Sequence, residues 1–535
     1  MVSSVSSPAS RTFRGSSHRG SGARSLAGLN AGLVGLAVAI GVVGYLVGDR
    51  TNWTDGFGFD GRFYGNLAQH FFSSLFGHAG VLPPGIGAYS GPKLVGVDSY
   101  YALRVVPSGV VWAVDKALAI APTRSHVVAV FSILDGVMYG VVVLSWCLSA
   151  DLLRLSTRAK LVGVIALVVN FAVLRTGTYW PVLTDEFAYA EGALSLYLWL
   201  RGYTAALVLC TLVAAFTWPL QIPVGLLLIL FPYPARALGR APGQPDDARP
   251  QVKPAALAAA LVGAILLIEK LTGYASPQGT PGVAWTFPLG LIVASGFVFV
   301  VFAYLLPRGG SRGAVSAIRK ISPGRAIMAA VVLVVVFAGR AALSHRAGYN
   351  DLSLSEGGLW SSALYPGNFL VVFVCYFGPL LVVLALDWPR VGADARRFGP
   401  GFALVVIVGL LSALLTDPRK LIDVYPELVL LGVLAAERRF RLTSAELTGF
   451  AVLSLILARV WLRIGPLSTD ASKINAFPDQ RYFMSSGLYT TPLTYLLQLA
   501  AVIAMVALLA WRARTRPPAV ASASVAATRS SAAYG

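Results

Sequence analysis

LAGLNAGLVGLAVAIGVVGYLV, running from Leu26 to Val47, carries no charged residue and is long enough to cross the hydrocarbon core of a bilayer as one helix. It is too long for the apolar core of a signal peptide, and no convincing cleavage site follows it, so it reads as the first membrane helix. Comparable apolar runs recur along the chain, centred at about residues 138, 168, 195, 210, 225, 263, 296, 336, 377, 408, 431, 453 and 501. Together they predict an all-α, polytopic transmembrane bundle of about 11–14 helices. The lower figure allows for the runs after Asp185, Trp218 and Pro426, which are short or broken by Gly and Pro.

Composition agrees. Of the 535 residues 56% are hydrophobic and 13% charged, where a typical soluble domain has about 25% charged residues. Mean hydropathy is +0.70. No stretch is long and polar enough to form a separate water-soluble domain, which excludes a soluble enzyme, a secreted disulfide scaffold and a disordered chain. The apolar residues come in runs rather than alternating with period two, which excludes a β-barrel. Cys147, Cys210 and Cys375 all lie inside apolar runs, and there is no CxxC or HExxH motif, so neither a loop disulfide nor a zinc or haem site is expected.

The net charge of +19 reads as membrane topology, not as a nucleic-acid partner. Lys and Arg collect in short cytoplasmic loops. With the N-terminal tail inside, the clusters Arg154/Arg158/Lys160, Arg236/Arg240/Arg249/Lys253, Arg308/Arg312/Arg319/Lys320/Arg325, Arg390/Arg396/Arg397, Arg438/Arg439/Arg441 and Arg512/Arg514/Arg516 all fall on the inner face. The outer stretch Thr272–Trp285 has no basic residue. The excess of Arg over Lys, with abundant Ala, Gly and Val, fits a GC-rich bacterial gene and hence a multi-pass protein of the bacterial plasma membrane with both termini cytoplasmic. The chain divides into a disordered tail (1–25), a first transmembrane module (26–235), a variable second module (236–512) and a second tail (513–535). The first module contains an extracytoplasmic loop over 48–124, between the first and second helices, that carries amphipathic surface helices.

Four segments outside the apolar runs carry polar groups suited to chemistry. The long loop opens with Asp55-Gly56-Phe57-Gly58-Phe59-Asp60-Gly61-Arg62-Phe63-Tyr64, followed by Asn66 and Ala68: carboxylates among glycines and aromatics at the lipid–water boundary. The same Asp60 also suits the N-cap of a helix over Phe63–Phe76. The loop ends in Tyr100-Tyr101-Ala102-Leu103-Arg104-Val105-Val106-Pro107 and an amphipathic stretch, Val110–Ala121, that reads as a helix lying along the membrane surface. Arg104 either snorkels to the interface or faces the acids of the loop. Asp185 and Glu186 open another membrane helix, where they also suit the helix dipole. Glu191, further along, is expected to face a polar cavity, and Asp135 raises the same question. Asp417-Pro418-Arg419-Lys420 places two cations on a short turn suited either to a phosphate or to a solvated hairpin. Asp479-Gln480-Arg481-Tyr482 is a weaker candidate for a lid.

Together these segments resemble the GT-C superfamily of membrane glycosyltransferases, which transfer a sugar from a polyprenyl-phosphate carrier on the non-cytoplasmic side. The resemblance rests on one membrane helix followed by a long loop with an early Asp, on surface helices, and on a second acidic loop after the third helix. Within the loop, Phe59-Asp60-Gly61-Arg62-Phe63-Tyr64 with Leu67-Ala68, and later Arg104-Val105-Val106-Pro107, is similar to the Asp-Gly-(Gln/Arg)-aromatic-Tyr pattern of several bacterial members. It covers about the first 230 residues; the second half agrees in architecture alone.

The resemblance implies an inverting displacement with Asp60 as general base, Asp55 as the competing base, and Asp185 or Glu186 orienting the acceptor or a cation. It implies substrate contacts from Arg62, Tyr64, Arg104, Arg419 and Lys420, the last three near the donor phosphate. The partners would be a polyprenyl-phosphate-linked sugar, an extracytoplasmic glycan, glycolipid or protein acceptor, and membrane lipids. No Asp-x-Asp stands in the first loop, which leaves a divalent cation, Mg or Mn, an open question. Two other classes remain: a polysaccharide polymerase or ligase, which concentrates its outer loop and arginines in the second half, and a transporter or flippase, which usually shows internal repeats and helices broken at mid-membrane.

Overall fold

The computed structural model describes residues 19–51, 53–58, 60–76, 97, 100–234, 249–271, 286–306, 310–344, 359, 362–461, 490 and 492–515. Most of both tails, Phe59, Arg236, Arg240, residues 272–285, Arg308, and the segment with Asp479, Arg481 and Tyr482 lie outside these residues. Among the described residues all regular structure is helical. In chain order the first half comprises α1 (Arg19–Val47), α2 (Gly61–Gln69), α3 (Phe71–Phe76), α4 (Val106–Ala117), α5 (Arg124–Leu152), α6 (Thr157–Val168), α7 (Asp185–Arg201), α8 (Thr204–Ala215) and α9 (Gln221–Leu230). The second half comprises α10 (Val252–Leu271), α11 (Phe287–Leu305), α12 (Gly310–Arg319), α13 (Pro323–Leu343), α14 (Asn368–Phe377), α15 (Leu380–Leu386), α16 (Trp388–Phe398), α17 (Pro400–Ser412), α18 (Tyr425–Arg439), α19 (Ser444–Leu457) and α20 (Pro492–Thr515).

Six of the described spans are long and apolar enough to cross a membrane: Ala27–Val47, Arg124–Leu152, Thr157–Tyr179, Phe287–Leu305, Pro323–Leu343 and Pro492–Thr515. Shorter apolar helices pack among them, and each apolar run read from the sequence coincides with a helix. The long helices leave large apolar side chains uncovered, as at Leu46, Val334, Phe337 and Ile503, each about three-fifths or more exposed. Such faces suit lipid rather than water.

The surface segment differs in detail from the expected helices. A helix over Phe63–Phe76 is interrupted at His70, whose φ of −131° leaves the helical region, so α2 and α3 are separate. The helix expected from Val110 begins earlier, at Val106, because Pro107 sits in its first turn, where a missing N–H costs nothing.

Close backbone approach organises the bundle. A Cβ on Gly41 of α1 would lie 2.4 Å from Gly136 Cα of α5, so these helices cross through glycine. At the end of the bundle where α5 stops and α6 starts, the buried Lys160 donates to Asp151 at 2.5 Å and to Asn30 of α1 at 2.9 Å. Far along the chain, the basic end of α18 is also structural. Arg438 reaches Asp387 at 2.8 Å and Asp394 at 2.5 Å, and Arg439 reaches Asp387 at 3.0 Å. Several basic residues first read only as topology therefore tie helices together.

The middle of the bundle is held by a break in α6. Beyond Val169 the chain widens into a π-helical turn, Ala172–Thr176, before resuming as far as Tyr179. The break frees carbonyls that water cannot reach, and buried side chains take them up. Asn170 donates to the Ala166 and Leu167 carbonyls at 2.8 and 3.0 Å, and Tyr189 of α7 donates to Leu167 at 2.8 Å. Tyr425 of α18 joins the Ala166 carbonyl (3.1 Å) to that of Phe377 in α14 (2.9 Å). One buried apolar cluster contains Trp146, Leu167 and Tyr189 together with Tyr425 and Leu430, so residues on both sides of position 235 share a core.

Replacing Tyr425 by Phe is expected to leave these carbonyls short of a donor and to cost about 1–3 kcal/mol. Thermal unfolding in detergent checks this: a lowered Tm is expected, and an unchanged one contradicts the bridging role.

Candidate functional site

Three segments distant in sequence meet at the end of the bundle where α6 finishes and α7 begins. Asp60 precedes α2, Asp185 opens α7, and Asp417 and Arg419 stand on the turn between α17 and α18. Glycines make the meeting sterically feasible. A Cβ on Gly61 would sit 2.5 Å from the Val182 carbonyl, so the start of α2 rests directly on the strand of chain that leads into Asp185. A Cβ on Gly192 would sit 2.0 Å from the Asp423 carbonyl, so α7 packs backbone to backbone against the Arg419 turn. The turn itself is an Asx structure: the Asp417 carboxylate accepts the Arg419 N–H at 3.2 Å.

The Arg419 guanidinium fills the space between the acids. Its Nε lies 3.4 Å from Asp417 Oδ1 and 4.0 Å from Asp185 Oδ1, and its Nη1 lies 3.6 Å from Asp60 Oδ2. Asp185 is buried, while Asp60, Asp417 and Arg419 side chains each keep roughly three-tenths of their surface exposed. Neither acid that opens a helix acts as a conventional cap: Asp60 makes no side-chain cap hydrogen bond to α2, and the N-cap of α7 is Thr184. Three carboxylates share one guanidinium, so the cluster is electronegative, and the Arg419 charge is already matched. A donor-phosphate role for Arg419 gives way to a clamping one. Among the described residues no three acidic, histidine or cysteine side chains are arranged to hold a metal ion.

Aromatic and cationic groups from the surface segment form one wall. Tyr64 is buried, close enough to Asp60, Asp185 and Arg104 to feel their charges, and its backbone carbonyl accepts from Ser108 Oγ at 2.9 Å. Arg104 is 8% exposed and bends back on its own loop, with Nη1 at 2.8 Å from the Tyr100 carbonyl and Cζ 3.7 Å from the Tyr100 ring centroid and 5.4 Å from that of Trp218. It therefore faces inward rather than snorkelling. Arg62 stacks over Phe63 at 4.7 Å, and Phe63 stacks on Tyr101 at 4.4 Å.

Two of the sequence candidates lie elsewhere. Asp55 pairs with Arg124 at the surface, its side chain 70% exposed, and does not join the Arg419 cluster. Glu186 points into the bundle against Tyr139 and Gly177, towards the buried Asp135 of α5. Lys420 acts on Asp417 through its charge. Glu191 faces a polar partner as expected: Thr217 Oγ1 donates to it at 2.8 Å. Asp417 was legible only as part of a turn, Tyr100 only as part of the segment that carries Arg104, and Trp218 carried no sequence signal for the site. Comparison with protein-family models, with curated proteins and with solved structures finds no match for this chain.

Burial pushes the Asp417 carboxyl upward, but Arg419 and then Lys420 outweigh it and hold the group below the usual carboxylate range. The Asp417 arm of the clamp is thus fully formed above a pH of about 4, the ordinary carboxylate value, and its contribution disappears as pH falls through the lower native value of Asp417. The Tm difference between wild type and Arg419→Ala is accordingly expected to shrink as the solution is acidified below about pH 4. A difference that grows on acidification contradicts the pairing. Arg419→Lys should recover only part of the loss, since the fork is gone.

Proposed function

We propose that this chain is an integral membrane glycosyltransferase of GT-C type, moving a sugar from a polyprenyl-phosphate donor to an extracytoplasmic acceptor. The observation that carries this reading is the convergence of Asp60, from the segment after the first helix, with Asp185 and Arg419 in one partly open cluster. A partly exposed carboxylate beside a buried one, oriented by a guanidinium and walled by tyrosines, suits general-base activation of a sugar hydroxyl. A lipid-linked donor fits a cluster at the end of apolar helices with uncovered faces, and it needs no nucleotide site.

In this mechanism Asp60 accepts the proton of the attacking acceptor hydroxyl as the new glycosidic bond forms, and the polyprenyl phosphate departs as an anion with inversion at the anomeric carbon. Arg419 fixes the Asp60 carboxylate against Asp185, and Tyr64 with Arg104 frames the acceptor side. With the N-terminus inside, the single pass of α1 carries Asp60, and with it this cluster, to the outer face of a bacterial plasma membrane. A second reading, transport, draws on the buried Asp135, Glu191, Asp423 and Glu427 and on the broken α6, since intramembrane acids often mark ion paths.

Asp60→Asn keeps shape while removing the proton acceptor, and it is expected to lower turnover of polyprenyl-phosphate sugars by at least about a hundredfold in a normally inserted protein. Asp55→Asn should retain near-normal turnover, because its partner is the surface Arg124. Equal activity in both variants, or the reverse order, contradicts the assignment of the base. Topology is checked separately: a cysteine at Ser90 should react with an impermeant thiol reagent in intact spheroplasts, and one at Ser311 only after permeabilisation. The opposite pattern removes the cluster from the outer face.

A further inference from the structure

A group of cations lies next to the acidic cluster, where the π-helical turn after α6 meets the end of α19. Arg175 stands on the π-helical turn and is 8% exposed, yet its guanidinium donates no hydrogen bond among the described residues. Its ion-pair contact, with Asp49 at the exit of α1, is 3.8 Å long, beyond direct hydrogen-bond distance. A buried guanidinium so loosely matched is costly unless an anion completes it.

Arg459 approaches from the other side. Its Cζ lies 3.8 Å from the ring centroid of Phe171, which precedes Arg175 by one turn, so both cations flank the same stretch of α6 and repel one another. Arg459 takes the left-handed conformation, φ +53°, just after the C-cap of α19, which ends that helix and brings its side chain to the π-helical turn.

Tyr376 connects this pair to the candidate site. Its ring packs 5.6 Å from Phe171, and its hydroxyl is buried, with Thr176 of the π-helical turn beside it. On its other side the residue feels the charges of Asp185, Glu186 and Arg419. A hydroxyl and two guanidinium groups thus gather about Phe171 and the π-helical turn that follows it, next to the acidic cluster. Because Arg419 is engaged by carboxylates, this is the more electropositive neighbour.

We propose that Arg175, Arg459 and the Tyr376 hydroxyl form a binding site for a phosphate ester, with the two guanidinium groups on its oxygens and Tyr376 between it and the Asp60–Asp185–Arg419 cluster. The site deepens the glycosyltransferase reading and rests on it only for the lipid attached to the phosphate. A soluble phosphate shares the same chemistry.

Binding to the full-length protein in detergent separates the cases, with farnesyl phosphate, farnesol and inorganic phosphate as probes. Farnesyl phosphate is expected to bind and farnesol to bind far more weakly. Arg175→Gln and Arg459→Gln are each expected to weaken farnesyl phosphate by about tenfold or more, as loss of a charge-assisted contact implies. Tyr376→Phe keeps the ring and should weaken it by a smaller factor, which guards against a variant that fails to fold. Inorganic phosphate binding as tightly as farnesyl phosphate, and lost in the same variants, assigns the site to a soluble anion. Monodisperse Gln variants that bind farnesyl phosphate as wild type does, or wild type that prefers farnesol, overturn the site. None of these readouts requires sugar transfer, so a protein that binds the ester but transfers nothing rejects the glycosyltransferase reading and leaves the phosphate site standing.

Discussion

The position of one guanidinium constrains the candidate site. Arg419 lies within 4.0 Å of Asp60, Asp185 and Asp417, and these acids come from the segment after α1, the start of α7 and the turn before α18. Like charges brought so near repel strongly away from bulk water, and a fork-shaped cation between them removes that cost while fixing their directions. The glycines explain how the backbones come close enough. Gly61 lets α2 lie on Val182, and Gly192 lets α7 lie on Asp423, so a side chain at either position moves one acid relative to the others.

The clamp is seated on a buried polar frame. Tyr425 begins the helix that follows the Arg419 turn, and its hydroxyl spans the carbonyls of Ala166 and Phe377. The break in α6 that frees Ala166 also produces the π-helical turn carrying Arg175. Local irregularity in α6 is therefore coupled to both polar groups: it supplies the acceptor that anchors the Arg419 turn, and it carries the buried Arg175. In an apolar interior these bonds have no competition from water, which is why a broken helix persists there.

Much of the architecture was legible in the sequence because membrane crossing imposes a length and an absence of charge that leave little freedom. Each apolar run became a helix. Asp60, Asp185, Tyr64, Arg104 and Arg419 were singled out from residue type and position, and they gather at one end of the bundle. The partnership was not legible: Arg419 looked like a phosphate ligand, since nothing in a chain of residues says that three acids from remote segments will surround it. Asp55 shares a glycine- and aromatic-rich setting with Asp60 but lacks its Asp-Gly-Arg-Phe-Tyr continuation, and folding separates the two further by pairing Asp55 with Arg124. The roles of Gly61 and Gly192 were hidden for the same reason, as a glycine's neighbours across an interface are not its neighbours in sequence. Helix ends were misplaced where a single residue, His70 or Pro107, set the boundary.

The most direct test of the functional account is whether the purified wild-type protein breaks the sugar–phosphate bond of a polyprenyl-phosphate sugar. Mass spectrometry of the lipid fraction after incubation with a panel of such donors and extracytoplasmic acceptors reads this out. The account gives free polyprenyl phosphate with one donor, and the sugar recovered on an acceptor with inverted anomeric configuration. Every donor recovered intact, together with movement of an unmodified solute across proteoliposomes dependent on the buried acids, contradicts it and establishes transport instead.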